Sequence, residues 1–224
     1  MACMLRSRIC GLRSVPMPTT TIDAHPLFRL RGIYSVRLSP VSLDLAAGEC
    51  AAILGPSGSG KSLLLRQAAD LDPGHGEALL DGRPRSGMRG YEWRRQVMYC
   101  QAEAGWWDDL VAPHFADRAR AEPIMQRLGL STDKLDALVH ELSTGERQRL
   151  GLVRALALAP RVLLLDEPTA ALDQAATDKV EEELRRYLDG GAAILMVTHS
   201  PAQAERLARR SWRMTEGRLE PLWM

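Results

Sequence analysis

The sequence predicts an α/β fold: a mainly parallel sheet, an antiparallel β-layer beside it and an inserted α-helical subdomain. Three observations carry that expectation. A glycine-rich stretch, Gly55-Pro56-Ser57-Gly58-Ser59-Gly60-Lys61-Ser62, joins the apolar run Ala51-Ala52-Ile53-Leu54 to the helical-looking Leu63-Leu64-Leu65-Arg66-Gln67-Ala68-Ala69. Two wholly apolar runs, Val162-Leu163-Leu164-Leu165 and Ala193-Ile194-Leu195-Met196-Val197, lead to Asp166 and His199. Buried parallel strands deliver polar side chains at their C-terminal ends in this way. Between these regions, over about 106–158, apolar residues recur with a helical period, and Pro113, Pro123 and Ser131-Thr132-Asp133 punctuate them.

Residues 1–26 stand apart, with Arg6, Arg8 and Arg13 mixed among Ser14, Pro16, Pro18 and a threonine run. They lack the apolar core of about 7–15 residues that a secretory signal needs. The expectation is an extension beyond the folded unit, either a tail without fixed structure or a start assigned ahead of the true one at Met17. An Arg- and Ser-rich organellar address is the competing reading. The folded unit is expected over 27–224.

Leu27-Phe28-Arg29-Leu30 and Val41-Ser42-Leu43-Asp44-Leu45 alternate or nearly so, which reads as the antiparallel layer, and Gly48-Glu49 turns the second into the strand before the glycine loop. Pro73-Gly74-His75-Gly76 turns into another strand at Glu77-Ala78-Leu79-Leu80, and Val97-Met98-Tyr99-Cys100 is a short apolar strand. Residues 173–188 read as a helix with Val180, Leu184 and Leu188 on one face, stopped by Gly190-Gly191. A last helix over 202–209 and a hairpin at Gly217 complete the chain as read.

A length of 224 residues suits one domain, or one domain with a small insert. Net charge is +1 with both signs interspersed, so no nucleic-acid footprint is expected. Cys3, Cys10, Cys50 and Cys100 form no C-x-x-C pair, which argues for a reduced cytosolic setting and against a zinc site. No apolar run approaches the ~20 residues of a spanning helix, so the chain is expected to be soluble by itself.

The glycine loop is a phosphate site by its chemistry. Its glycines let successive N–H groups converge on an anion, and the following helix adds its positive end. Lys61, one of three lysines in an arginine-rich chain, is a compact charge suited to β- and γ-phosphates. Ser62 is placed to offer its hydroxyl to magnesium. Asp166-Glu167 can divide two roles at a strand end, one acid serving the metal and the other polarising the attacking water. Leu142-Ser143-Thr144-Gly145-Glu146 opens an amphipathic helix; Ser143 and Glu146 have capping-box spacing, and such a helix start is also an anion receptor.

Together these motifs resemble the nucleotide-binding subunit of an ATP-binding cassette transporter, over roughly residues 27–220. Walker A is 55–62, the signature is Leu142 to Glu146, and Walker B is 162–167. The D-loop is Ala171-Leu172-Asp173, and the switch histidine is His199. The resemblance implies a P-loop NTPase core that binds ATP and Mg2+ and hydrolyses ATP. Glu167 would be the general base, His199 would contact the γ-phosphate, and Asp166 would serve the metal. It also implies a homodimer or paired cassette facing head to tail, with each ATP shared between one Walker A and the other signature. A separate transmembrane permease would be gripped by the helical insert, making the chain peripheral at the inner face of the membrane.

Three features depart from that pattern. Thr144 stands where the family commonly has glycine, so an ordinary φ is expected there. The Q-loop position, counted back from Trp106, falls on Ala102, leaving Gln101 with a one-residue shift or Glu103 as its substitute. The adenine-stacking aromatic would be Tyr34, which reads equally well as a core or strand-end residue. Of Trp106-Trp107, one is expected in the core and one at an interface. A soluble ATPase of the same superfamily acting on nucleic acid or ribosomes is the alternative function; a P-loop kinase or GTPase leaves Ser143, Glu146 and His199 unexplained. The Arg95-to-Cys100 segment also resembles small cassettes of the iron-export type, over a handful of residues only.

Overall fold

The computed structural model describes residues 26–223. The extension expected over 1–26 therefore lies, apart from Pro26, outside the described residues, as do Met17, Cys3 and Cys10.

Two sheets form the frame. β1 (Phe28–Ser35), β2 (Leu38–Leu45), β4 (His75–Leu80) and β5 (Arg83–Pro84) make an antiparallel sheet in the order β2-β1-β4-β5. The second sheet runs β10-β9-β3-β8-β7-β6. It comprises β3 (Cys50–Leu54), β6 (Val97–Cys100), β7 (Val162–Asp166), β8 (Ala193–Val197), β9 (Arg210–Thr215) and β10 (Arg218–Trp223). All its pairings are parallel except the β9–β10 hairpin. Glu216 and Gly217 form that hairpin's two-residue turn, both at positive φ (48° and 76°), the conformation that matches strand twist.

The apolar runs of the parallel sheet are continuous because both faces are covered. Successive side chains point to opposite sides. Ile53, Leu164 and Leu195 face the antiparallel sheet and helix α1 (Lys61–Ala68). Ala52, Leu163, Leu165 and Met196 face the opposite way, into a core shared with α3 (Arg118–Arg127), α4 (Thr144–Ala157), α5 (Gln174–Asp189) and α6 (Pro201–Leu207). Asp173, Ser143, Asp117 and Ser200 each accept a backbone N–H as the N-cap of one of these helices. A short helix, α2 (Gly90–Gln96), falls in a stretch left without structure in the sequence reading; it buries Trp93, whose Nε1 donates to the Ala68 carbonyl at 3.0 Å.

Residues 101–161 contain α3, α4, three short 3-10 turns and one isolated bridge, Leu110 to Leu138. Leu128, Leu135 and Val153 of this stretch belong to the same hydrophobic cluster as Leu163 and Leu165. Among the described residues, no helix is long and apolar enough to cross a membrane. Cys50 is buried and Cys100 half-buried, and burial pushes both thiols up to about 12.

Candidate active site

β3 delivers the chain into Gly55, Gly58 and Gly60, all at positive φ. Gly55 admits no side chain: a Cβ there would lie 2.2 Å from the Met214 carbonyl oxygen on β9. Lys61 opens α1 and is buried; its Nζ donates to the carbonyls of Gly55 and Pro56, 2.8 Å each. The Ser59 hydroxyl is buried with no partner, an open polar group in a cradle shaped for an anion.

β7 places Asp166 beside this loop. Asp166 is buried, and its Oδ2 accepts a hydrogen bond from the Tyr99 phenol at 2.9 Å. At Glu167 the backbone turns left-handed (φ 51°), a conformation that costs a non-glycine residue about 1–2 kcal/mol. That turn separates the directions of the two acids. Glu167 is anchored on both sides: its N–H donates to Val197 O at 3.0 Å, and its carbonyl accepts from Gln148 Nε2 at 2.8 Å. Its Oε1 lies 3.2 Å from His199 Nε2, and its Oε2 accepts the His199 backbone N–H at 3.3 Å. Burial raises the Glu167 carboxyl above the ordinary range, opposed by His199 and Lys61. A carboxylate raised in this way is a better proton acceptor near neutral pH. Burial likewise lowers the Lys61 ammonium, against the pull of Glu167 and Asp166.

Ser57, Gly58, Ser59, Gly60, Lys61, Ser62, Asp166, Glu167 and His199 line one cavity of about 660 Å3. Arg37, Leu63, Ala102, Glu216 and Gly217 complete its wall. Arg37, Glu216 and Gly217 went unread as site residues, because turns distant in the chain leave no local pattern. Gln101 and Glu103 do not line this cavity. Gln101 lies in a neighbouring groove, and Ala102 occupies the wall between them, since the chain bends there and adjacent side chains diverge. Tyr34 stacks on His75, its β4 neighbour (ring centroids 4.7 Å apart), and is not among the residues lining this cavity.

The signature lies elsewhere. Ser143 accepts the Glu146 N–H at 3.2 Å, and Glu146 Oε2 accepts the Ser143 N–H at 2.9 Å, the expected capping box. Lys134 Nζ sits 2.9 Å from Glu146 Oε1 and, with the Ser143 N–H, lowers that carboxyl to about 2. Thr144 is an ordinary helical residue, outside the positive-φ set. None of Ser143, Thr144, Gly145 or Glu146 lines this cavity; Gly145 instead lies against Ala171 and Leu172.

A second cavity, a groove of about 810 Å3, runs beside α4. Trp106 is half-buried against the core, Trp107 is 70% exposed, and the Arg154 guanidinium lies 5.2 and 5.0 Å from their ring centres.

Comparison with known proteins agrees with this geometry. The profile described as ABC transporter matches residues 38–170. The chain is 37% identical over 174 residues to the "Probable iron export ATP-binding protein FetA" of Escherichia coli K12, covering 72% of this chain and 77% of that protein. It is 38% identical over 202 residues to the "Lipoprotein-releasing system ATP-binding protein LolD" of Paramagnetospirillum magneticum, covering 81% and 88%. Among solved structures, the dimeric post-hydrolysis state of the ATP-binding cassette MJ0796 bound to ADP and Pi superposes with a TM-score of 0.76. That pair is 26% identical, and the match covers 88% of this chain and 99% of that one. With profile, relatives and fold in agreement, the chain belongs to the ABC transporter family, as an ATP-hydrolysing cassette of a transporter.

Proposed function

We propose that this cassette works as one half of a head-to-tail pair, closing over two shared ATP molecules to drive a separate membrane-spanning permease. One observation carries the reading: the signature Ser143 to Glu146 is a finished anion-receiving helix start that takes no part in its own chain's phosphate cavity.

Within the cavity, the loop N–H groups and Lys61 hold the triphosphate, and the open Ser59 hydroxyl offers it a further contact. Ser62 and Asp166, both lining the cavity, are oxygen donors that fit magnesium. A bound magnesium ion supplies neutralisation of charge on the β- and γ-phosphates. Glu167 takes the proton of the attacking water, with its carboxylate held by the His199 backbone. His199, half-exposed at the cavity edge, turns its ring from Glu167 toward the γ-phosphate.

The stretch 106–158 acts as the lobe that receives the permease, with Trp107 and the groove beside it at the contact. The cassette is then peripheral at the inner membrane face.

Nucleotide binding and turnover, measured separately, test the reading. Lys61→Ala should lose ATP binding. Glu167→Gln should bind ATP normally and hydrolyse it at least about 100-fold more slowly. Normal turnover in Glu167→Gln overturns its assignment as base.

A further inference from the structure

We propose that Tyr99 is a positioning residue for Asp166, fixing which carboxylate oxygen faces the nucleotide-bound metal. The proposal rests on the reading in which Asp166 serves magnesium.

The register brings the two together. β6 runs parallel to β7 with Tyr99 opposite Leu164, and Asp166 lies two residues further along on the same face. The phenol reaches Asp166 Oδ2 at 2.9 Å. Tyr99 approaches from the groove, while Asp166 borders both the groove and the phosphate cavity. Holding Oδ2 on the groove side turns Oδ1 toward the cavity. A carboxylate otherwise free to rotate is thereby set before the metal arrives, as outer-shell partners do elsewhere.

The chemistry of the donor matters as much as its place. A phenol is neutral, so it orients the carboxylate and leaves its negative charge for the divalent cation. The two cations near the pair hold other partners: Arg66 Nε and Nη2 donate to Asp72, 2.7 Å each, and Lys61 Nζ donates to the Gly55 and Pro56 carbonyls. A phenol, with an ordinary pKa of about 10, keeps its proton across the working pH range. The residues following β6 offer no substitute. Ala102 presents only a methyl to the cavity, and Gln101 belongs to the groove.

The test is a Mn2+ titration of the ATP-loaded full chain, read by electron paramagnetic resonance, on wild type, Tyr99→Phe and Asp166→Asn. Tyr99→Phe removes one hydroxyl and keeps the ring. It should raise the half-saturating Mn2+ concentration roughly tenfold, leave ATP binding in EDTA unchanged, and regain the wild-type hydrolysis rate at high Mg2+. Asp166→Asn should lose the high-affinity metal. If Asp166→Asn loses it and Tyr99→Phe titrates like wild type, the role of Tyr99 is overturned. Equally, a Tyr99→Phe protein whose slow turnover no Mg2+ concentration restores overturns positioning. If Asp166→Asn binds metal like wild type, the underlying assignment of Asp166 fails instead.

Discussion

The side-chain amide of Gln148, on the signature helix, is bonded to the backbone of Glu167: Nε2 donates to the Glu167 carbonyl at 2.8 Å. The same amide accepts the Ala171 N–H on Oε1 at 3.1 Å. Helix α4 thus clamps both the strained residue after β7 and the loop that follows it. Without the clamp, Glu167 loses one of the contacts that hold its left-handed conformation.

Gln148→Ala is therefore expected to slow hydrolysis by roughly 10- to 100-fold, the equivalent of one or two hydrogen bonds at a catalytic backbone. ATP affinity should stay within about twofold, because Lys61 and the loop are untouched. Equilibrium nucleotide binding beside steady-state turnover checks this. A proportional loss of both points to unfolding rather than to the clamp.

Gly217 ties the β9–β10 turn to the glycine loop and to the start of β2. Its N–H donates to the Ser59 carbonyl at 2.8 Å, and its carbonyl accepts the Ser39 N–H at 2.9 Å. A Cβ at this position would lie 2.4 Å from the Arg37 carbonyl, at a φ of +76°. Gly217→Ala should cost about 1–3 kcal/mol of stability through strain and displacement, and it should weaken ATP binding because the displaced loop borders the phosphate cavity. Chemical denaturation and ATP titration measure the two effects.

Much of this architecture could be read from residue order. Val162 to Asp166 is apolar throughout because both faces of β7 are covered, and that run alone located the strand and its terminal acid. Ser143 and Glu146 announced their capping box because the interaction is local, three residues apart. Contacts made across sequence distance were hidden. The 97–100 stretch reads as an apolar strand, and nothing in it shows that the Tyr99 hydroxyl meets a carboxylate 67 residues away. Gln148 looked like a polar helix residue until Glu167 and Ala171 were packed beside it. That Ala102, between Gln101 and Glu103, borders the cavity was hidden for a related reason: a bend decides which of several neighbouring side chains faces a cavity, and composition does not encode the bend.

Glu146 gives a pH prediction. Lys134 and the Ser143 N–H hold its carboxyl down to about 2, from the ordinary 4.5. A depressed carboxylate contributes stability that is present above its unfolded value and lost as pH falls through its folded one. The signature cap should accordingly persist through the mildly acidic range and open only as pH approaches about 2. Lys134→Met should move the transition back toward 4.5. A carboxyl-selective NMR titration of Glu146 follows it, and an unchanged midpoint in Lys134→Met removes Lys134 as the main cause.

The assembly prediction follows from where the two phosphate receptors sit. The loop around Lys61 faces a cavity shared with Asp166, Glu167 and His199, whereas Ser143 and Gly145 open a helix outside that cavity, against Ala171 and Leu172. One triphosphate cannot meet both in a single chain arranged in this way. A two-fold pair satisfies both receptors twice over, through an interface in which each surface contacts its symmetry-related counterpart. ATP buried there favours the pair by mass action, so association should be strongest when hydrolysis is blocked. Glu167→Gln with ATP and Mg2+ should sediment as a dimer, and without nucleotide as a monomer. Adding Ser143→Arg removes the cap acceptor and places a bulky side chain at the helix start. That double variant should return to monomer with ATP and Mg2+ present, while ATP binding at Lys61 stays within about twofold, since the substituted residue lies outside the cavity. A Ser143→Arg protein that still dimerised would mean that the signature is not the surface closing over the partner's nucleotide.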